Sequence, residues 1–415
     1  MFAGLRNRTI SAIKICRWYI VTVFHFIDQA HPMISPVAKY SSRRCAQFFA
    51  IALMSVTALN PTLSFGKDIV VGQIAPFTGV QAAAGKAYSA GIKLAFAAQN
   101  AAGGVAGATL KLVAVDDAYK PDDTVRLARE LIAKERPVAL AATVGTANAD
   151  ALIKAGVLTE SGVPLIGPSS GAGSVIGKPG VFTVKASYAE EVNQLFSTLN
   201  SMGLSRVAVL YQDDGYGKDL LDAATGLSAR HKIELVAKTP YDRITGDIEP
   251  AVNALLKIDA QVIFLAAISV PAAKFIKSYK QRGGNAMLVG PSPVDITVLQ
   301  KQLTKEQLRG YVASTVGPVD TRTSLPIIRE YMKQRAAFPS ADYGIRSFEG
   351  YVTGRVIIAA LQRGGKTTPE GMTQTLKTLR AVDFGGYSVD YADMKRGGSS
   401  YVDFVTIDRM GAIVR

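Results

Sequence analysis

The chain is poor in cysteine, tryptophan and histidine: two, one and three in 415 residues. Cys16, Cys45 and Trp18 all fall within the first 66 positions. Anything that folds from Lys67 onward therefore has no disulfide, no thiol nucleophile and no thiolate metal site. His25 and His31 lie in the same stretch, which leaves His231 as the one imidazole beyond it. At the end of a helical segment (Ala229-Arg-His-Lys-Ile), His231 reads as an ordinary solvated side chain. The apolar run Ala46 to Leu59 is shorter than the ~20 residues a membrane-spanning helix needs. Acids are outnumbered, 33 against 47 bases, for a net charge of +14. Seven of those bases and a single acid lie in residues 1–66. The others are scattered with no run of five or six, which argues for a solvated basic surface and against a nucleic-acid face. A weak attraction for an anionic ligand is compatible with that bias.

What is present is a globular composition, 48% hydrophobic and 19% charged, in a chain too long for one ordinary core. The first 66 residues have the layout of an export leader: Arg43-Arg44, the apolar run, Pro61, then Ser64-Phe65-Gly66 before Lys67. Cleavage near Gly66/Lys67 and a periplasmic destination are expected. Met33 would supply a conventional start. Cys45 precedes the apolar run, so it is not a lipidation site. Beyond the leader, apolar strands alternate with helices: Asp68–Ile74, Ala82–Asn100, Thr109–Val115, Pro121–Ala133, Val138–Val144, Ala147–Ala155, Val163–Ile166 and Phe182–Lys185. A second series starts at Tyr188, with strands Arg206–Tyr211, Ile233–Thr239, Ala260–Ala266 and Ala286–Val289. Tyr311–Val316 reads as a return crossing, Ser324–Phe338 and Phe348–Gln362 as helices, and Gly386–Val414 as short antiparallel strands. The pattern predicts an α/β protein of two Rossmann-like lobes with parallel sheets, joined by a hinge of several crossings. The expected division is a leader over 1–66, one lobe over 67–185 plus 315–385, and a second over 186–314 plus 386–415.

The segment 141–174 places two consecutive strand ends in loops of small and hydroxyl residues, Gly145-Thr-Ala-Asn148 and Gly167-Pro-Ser-Ser-Gly171. Ligands of open parallel sheets sit beyond the carboxyl ends of strands, at helix N-termini. Thr146, Ser169 and Ser170 are also adequate helix caps, so capping is the competing explanation. Catalysis has little to stand on. Gly103-Gly-Val-Ala-Gly107 precedes a strand, so it is not a dinucleotide fingerprint. There is no GxxxxGK[ST] loop and no G-x-S-x-G, and Ser169 would have only His231 as base. Asp116-Asp117 and Asp213-Asp214 read as loop or capping acids more readily than as metal ligands. No cofactor, metal or catalytic residue is expected. A ligand-sensing module of a receptor, or a hydrolase on the same α/β scaffold, is the alternative of another class.

Ile74-Ala-Pro-Phe-Thr-Gly79, Gly85, Gly91, Asn100, Gly103-Gly104, Gly107, Asp116-Asp117, Gly145-Thr146, Val163–Pro168, Asp214-Gly-Tyr-Gly217 and Tyr401–Phe404 occur in an order that resembles the exported leucine/isoleucine/valine-binding proteins. Those proteins serve ATP-driven importers. The resemblance covers residue 67 to about 411. It implies a type I periplasmic binding protein, a small carboxylate-bearing ligand in the cleft, a membrane permease as partner, and a monomer. Position by position it implies ligand contacts at Thr146, Ala147 and Asn148, at Ser169, Ser170 and Gly171, at Phe77 on the first exit loop, and at Tyr216, for which a turn aromatic packed on the sheet edge is the competing explanation. From the facing loops it implies Ile268, Ser269, Ser292 and Asp295. Two departures are visible. The family's amino-acid binders hold the ammonium with a Glu where this chain has Ser292, and Ala267-Ile268-Ser269 replaces an aromatic pair. Asp295 is either a substitute acid or a helix N-cap. A branched-chain amino acid and a plain aromatic or aliphatic acid both remain open as ligands.

Overall fold

In a computed structural model, residues 66–364 and 366–415 are described. The leader to Phe65, with both cysteines, Trp18 and the export signal, lies outside the described residues. β1 (Gly66–Ala75), β2 (Ala108–Asp116), β3 (Ala139–Ala141), β4 (Leu165–Ile166) and β5 (Val181–Phe182) form an all-parallel sheet in the order β2-β1-β3-β4-β5. A second sheet has the order β14-β13-β10-β9-β8-β6-β7. Its parallel part is β6 (Arg206–Gln212), β7 (Glu234–Tyr241), β8 (Val262–Ala266), β9 (Met287–Gly290) and β10 (Val312–Thr315). β13 (Asp403–Ile407) and β14 (Ile413–Val414) close it antiparallel. All five residues of β8 are buried, as a strand covered on both faces requires.

The chain passes between the sheets three times: after β5, after β10, and before β13. Tyr311–Val316, read as a crossing, is thus itself a sheet strand, and the crossing follows it. The helices Pro326–Ala337, Ile345–Gly364 and Pro369–Thr378 return to the first sheet, where Ile327, Tyr331, Phe348, Val356 and Leu376 share a core with Val71, Ile92 and Phe96. The short antiparallel pair β11 (Val382–Asp383) and β12 (Ser388–Val389) follows. Several strands are shorter than the apolar runs that announced them. β3 stops at Ala141 because Ala142 adopts φ 50°, and β5 stops at Phe182.

The helix Ala82–Ala101 packs against Ile345–Gly364 at backbone distance. A Cβ at Gly91 would overlap the Ser347 carbonyl oxygen, and one at Gly350 the carbonyl of Tyr88. Glycine is required at both positions for this approach, and the approach sets Tyr88 beside Arg346 and Glu349.

Candidate functional site

The two loops singled out in the sequence lie side by side. Val144 and Ser169 form a parallel bridge, and the Ser169 amide donates to the Thr143 carbonyl at 2.8 Å. Gly145, at φ 106°, is the N-cap of the helix Thr146–Lys154 and carries no side chain to cap it. The first amides of that helix are therefore left for another acceptor. Thr146 Oγ1 and Ser170 Oγ share a hydrogen bond of 2.8 Å.

A small cavity of about 10 Å³ opens at this point between the two sheets. Gln81, Tyr119, Val144, Gly145, Thr146, Ser169 and Arg346 line it from the first sheet's side, and Tyr188, Tyr216, Ile268 and Pro293 from the second's. Tyr188 and Tyr216 meet edge to face with ring centroids 5.3 Å apart, and Tyr216 donates its hydroxyl to the Ala267 carbonyl at 2.8 Å. Burial pushes both hydroxyls well above the usual tyrosine range, so both rings are neutral.

Of the residues named from sequence, Thr146, Ser169, Tyr216 and Ile268 meet in this cavity. Ser292 lines the adjoining cavity instead, together with Ser314, Thr315, Arg346 and Glu349. The rest are engaged elsewhere. Asn148 is buried with its amide on Thr124 Oγ1 (2.8 Å) and Asp117 (3.2 Å), and it accepts from Arg243 at 3.1 Å. Ser170 bonds Thr146, Gly171 accepts from the Tyr188 amide at 2.8 Å, and Ala147 is half-buried. Phe77 packs on the first core and donates its amide to Asp116 Oδ1 at 2.8 Å. Ser269 Oγ accepts from the Asp295 amide at 2.9 Å. Asp295 caps the helix Ile296–Gln302, accepting from the Thr297 amide and hydroxyl. Asp214 likewise caps Gly215–Ser228. His231 Nε2 lies 2.9 Å from Asn193 Oδ1 and does not line the cavity with Ser169.

The sequence reading missed the charges behind the cavity. Arg346, 2% exposed, donates to Ser169 Oγ at 2.5 Å, Tyr88 Oη at 3.1 Å and the Ser292 carbonyl at 3.3 Å. Its Nε lies 3.2 Å from Glu349 Oε1 without an aligned hydrogen bond. Tyr88 donates to Glu349 Oε2. Lys185 reaches Ser292 Oγ at 2.9 Å and lies 3.8 Å from both Glu191 and Glu349. Glu191 accepts from Ser292 N, Ser292 Oγ and Ser314 Oγ. Burial opposes the charge on Arg346, yet Tyr88, Glu349 and Asp295 together hold its pKa above the usual value. Burial raises the Asp295 carboxyl. No local pattern announced them: the helix Ile345–Gly364 carries Arg346, Ser347, Glu349, Thr353 and Arg355 among its apolar residues, and its close packing on Ala82–Ala101 is what buries Arg346 and Glu349. A second link crosses the cleft nearby. Arg243 donates to the Tyr119 carbonyl at 2.9 Å and stacks 4.2 Å over its ring, while its Nε lies 3.6 Å from Asp214.

Two lobes of parallel sheet joined by three crossings, with a small cavity between them, are the architecture of periplasmic binding proteins. The periplasmic binding protein family matches residues 68–411, and the chain belongs to it. The amino acid binding protein of Pseudomonas aeruginosa is 27% identical over 249 residues, 59% of this chain and 65% of that protein. Leu/Ile/Val-binding protein homolog 3 of Brucella melitensis is 26% identical over 251 residues, 58% of this chain and 66% of that protein. The match thus spans just under two thirds of the length of these curated relatives. The crystal structure of a substrate-binding periplasmic protein from Ralstonia solanacearum is 39% identical, with a TM-score of 0.80, covering 84% of this chain and 99% of that one.

Proposed function

We propose that this protein is the exported binding component of an ABC importer, that it captures a small carboxylate-bearing solute between its lobes, and that it presents the closed form to a membrane permease. The observation that carries the ligand class is the first-lobe wall, where an uncapped helix start at Gly145-Thr146, the Ser169 hydroxyl and the Arg346 guanidinium converge. Free amides at the positive end of a helix satisfy an oxyanion, and hydroxyls complete the set. Thr146 and Ser169 touch the ligand in this reading, while Asn148, Ser170 and Asp295 hold the walls in place. The two lobes close about the crossings, which needs ligand contacts from both sides. The names of the curated relatives support an amino acid. An acid without an amine is the second reading, favoured because no Asp or Glu is among the residues lining the cavity. Export with cleavage near Lys67, a periplasmic location and a monomeric state belong to the same proposal.

The test is a thermal-shift screen of the purified protein with amino acids and organic acids beside their amides and alcohols. Carboxylates should raise the melting temperature where their uncharged counterparts do not. Equal shifts from the uncharged set would remove the carboxylate from the reading. A substrate consumed during the assay would replace it with an enzyme.

A further inference from the structure

The three crossings between the lobes meet at one side chain. Tyr387, 2% exposed, stands just before β12. Its hydroxyl donates to the Val184 carbonyl on the first crossing at 2.7 Å and to the Val316 carbonyl on the second at 2.9 Å. Among the described residues no other donor reaches either carbonyl. Val184 and Val316 are both buried, so without that hydroxyl two buried acceptors lack a partner. The Tyr387 ring lies against Tyr401 on the third crossing, centroids 5.8 Å apart, and meets Phe348 edge to face at 5.6 Å. The first and third crossings are also joined directly. Ala186 and Gly397 form an antiparallel bridge, and the Gly398 amide donates to Thr183 Oγ1 at 3.1 Å. A Cβ at Gly398 would overlap the Thr183 carbonyl oxygen, so these two segments lie at backbone distance. Burial pushes the Tyr387 hydroxyl well above the usual tyrosine range, which keeps it a donor. Tyr387 does not line the cavity, so ligand contact does not explain its place.

From this we infer that Tyr387 is the clasp of the hinge: its hydroxyl, shared between two crossings while its ring rests on the third, makes the three bend as one unit and sets how readily the lobes part. Lobes of this kind move by changes at a few residues in the segments between them. A crossing tied to its neighbour through a shared donor has to break that bond or carry the neighbour with it. The clasp acts whatever the ligand is and does not rest on the carboxylate reading.

Hydrogen exchange of the purified protein, read by mass spectrometry over residues 183–187, 315–318 and 397–402, tests it. In Tyr387→Phe the amides of all three segments should exchange at least about fivefold faster, while β1 and β8 stay within about twofold of the wild type. Tyr391→Phe is the control, because Tyr391 is a buried tyrosine four positions on whose hydroxyl has no hydrogen-bond partner. It should leave all five segments within about twofold. Small-angle scattering should report a larger radius of gyration for Tyr387→Phe than for Tyr391→Phe. The wild type supplies a measurement free of any folding defect: in low urea the amides of 183–187 and 315–318 should speed up in parallel, as one opening unit. A rise confined to one crossing, an equal rise in Tyr391→Phe, a rise shared by β1 and β8, an unchanged radius of gyration, or unequal urea responses of the two wild-type segments overturns the clasp.

Discussion

On the wall from the first sheet, polar groups face the cavity: the amides behind Gly145, which no side chain caps, and the Arg346 guanidinium bonded to Ser169 Oγ. On the wall from the second sheet, Tyr188, Tyr216, Ile268 and Pro293 present mostly ring and aliphatic surface, and the Tyr216 hydroxyl is already spent on Ala267. A ligand can therefore be held first by polar groups on one lobe and then covered by shape on the other. This is the order a two-lobed binder needs, since directional contacts orient the ligand before closure removes water from it.

The comparison breaks most visibly if Arg346 is not part of the polar wall. Arg346→Met leaves Glu349 short of a partner and should cost about 3 kcal/mol of stability in urea denaturation, with part regained in Arg346→Met/Glu349→Gln. A loss under half that size would mean that the buried cluster is held mainly by Lys185. Next is the link between the walls. Arg243→Ala removes two charge-assisted hydrogen bonds and the stacking on Tyr119, so about 1.5 kcal/mol of stability should go, together with faster release of any bound carboxylate in stopped-flow chase experiments. The two walls are separated most directly by a pair of small changes. Thr146→Val should lower carboxylate affinity by about 1 kcal/mol in calorimetry if the proposed site is right, because Thr146 lines the cavity there. Tyr216→Phe should cost at most about 1 kcal/mol of thermal stability and leave that affinity unchanged, because its hydroxyl is turned to the Ala267 carbonyl. If the Tyr216 change weakens binding more than the Thr146 change, the assignment of polar and apolar walls is reversed.

How legible this was depended on the range of the signal. Thr146, Ser169 and Tyr216 could be found because each follows an apolar run, a pattern local to a few residues; Thr146 and Tyr216 also lie in the first turn of a helix, whereas no helix starts at Ser169. Asn148 was named for the same reason, yet its amide turns to Thr124 and Asp117, since the fold puts a buried aspartate beneath it. Asp295 and Asp214 behave as the caps their positions suggested. Tyr119, Tyr188 and Arg346 gave no local sign of a site. Tyr119 lies in a loop at φ 66°, and Arg346 sits 177 positions after the Ser169 it bonds.

By itself the sequence determined the alternation of strands and helices, the family, and one wall of the cleft, because strand burial, helix starts and hydroxyl loops are written in short stretches. Only the tertiary structure decided which charges face which. The close approach of two helices through Gly91 and Gly350 sets Arg346 and Glu349 against Tyr88, and the crossings bring Lys185, Glu191 and Ser292 to the same place. Electrostatic pairing depends on distance through space, and in this cluster the distances join residues scattered between Tyr88 and Glu349 in the chain.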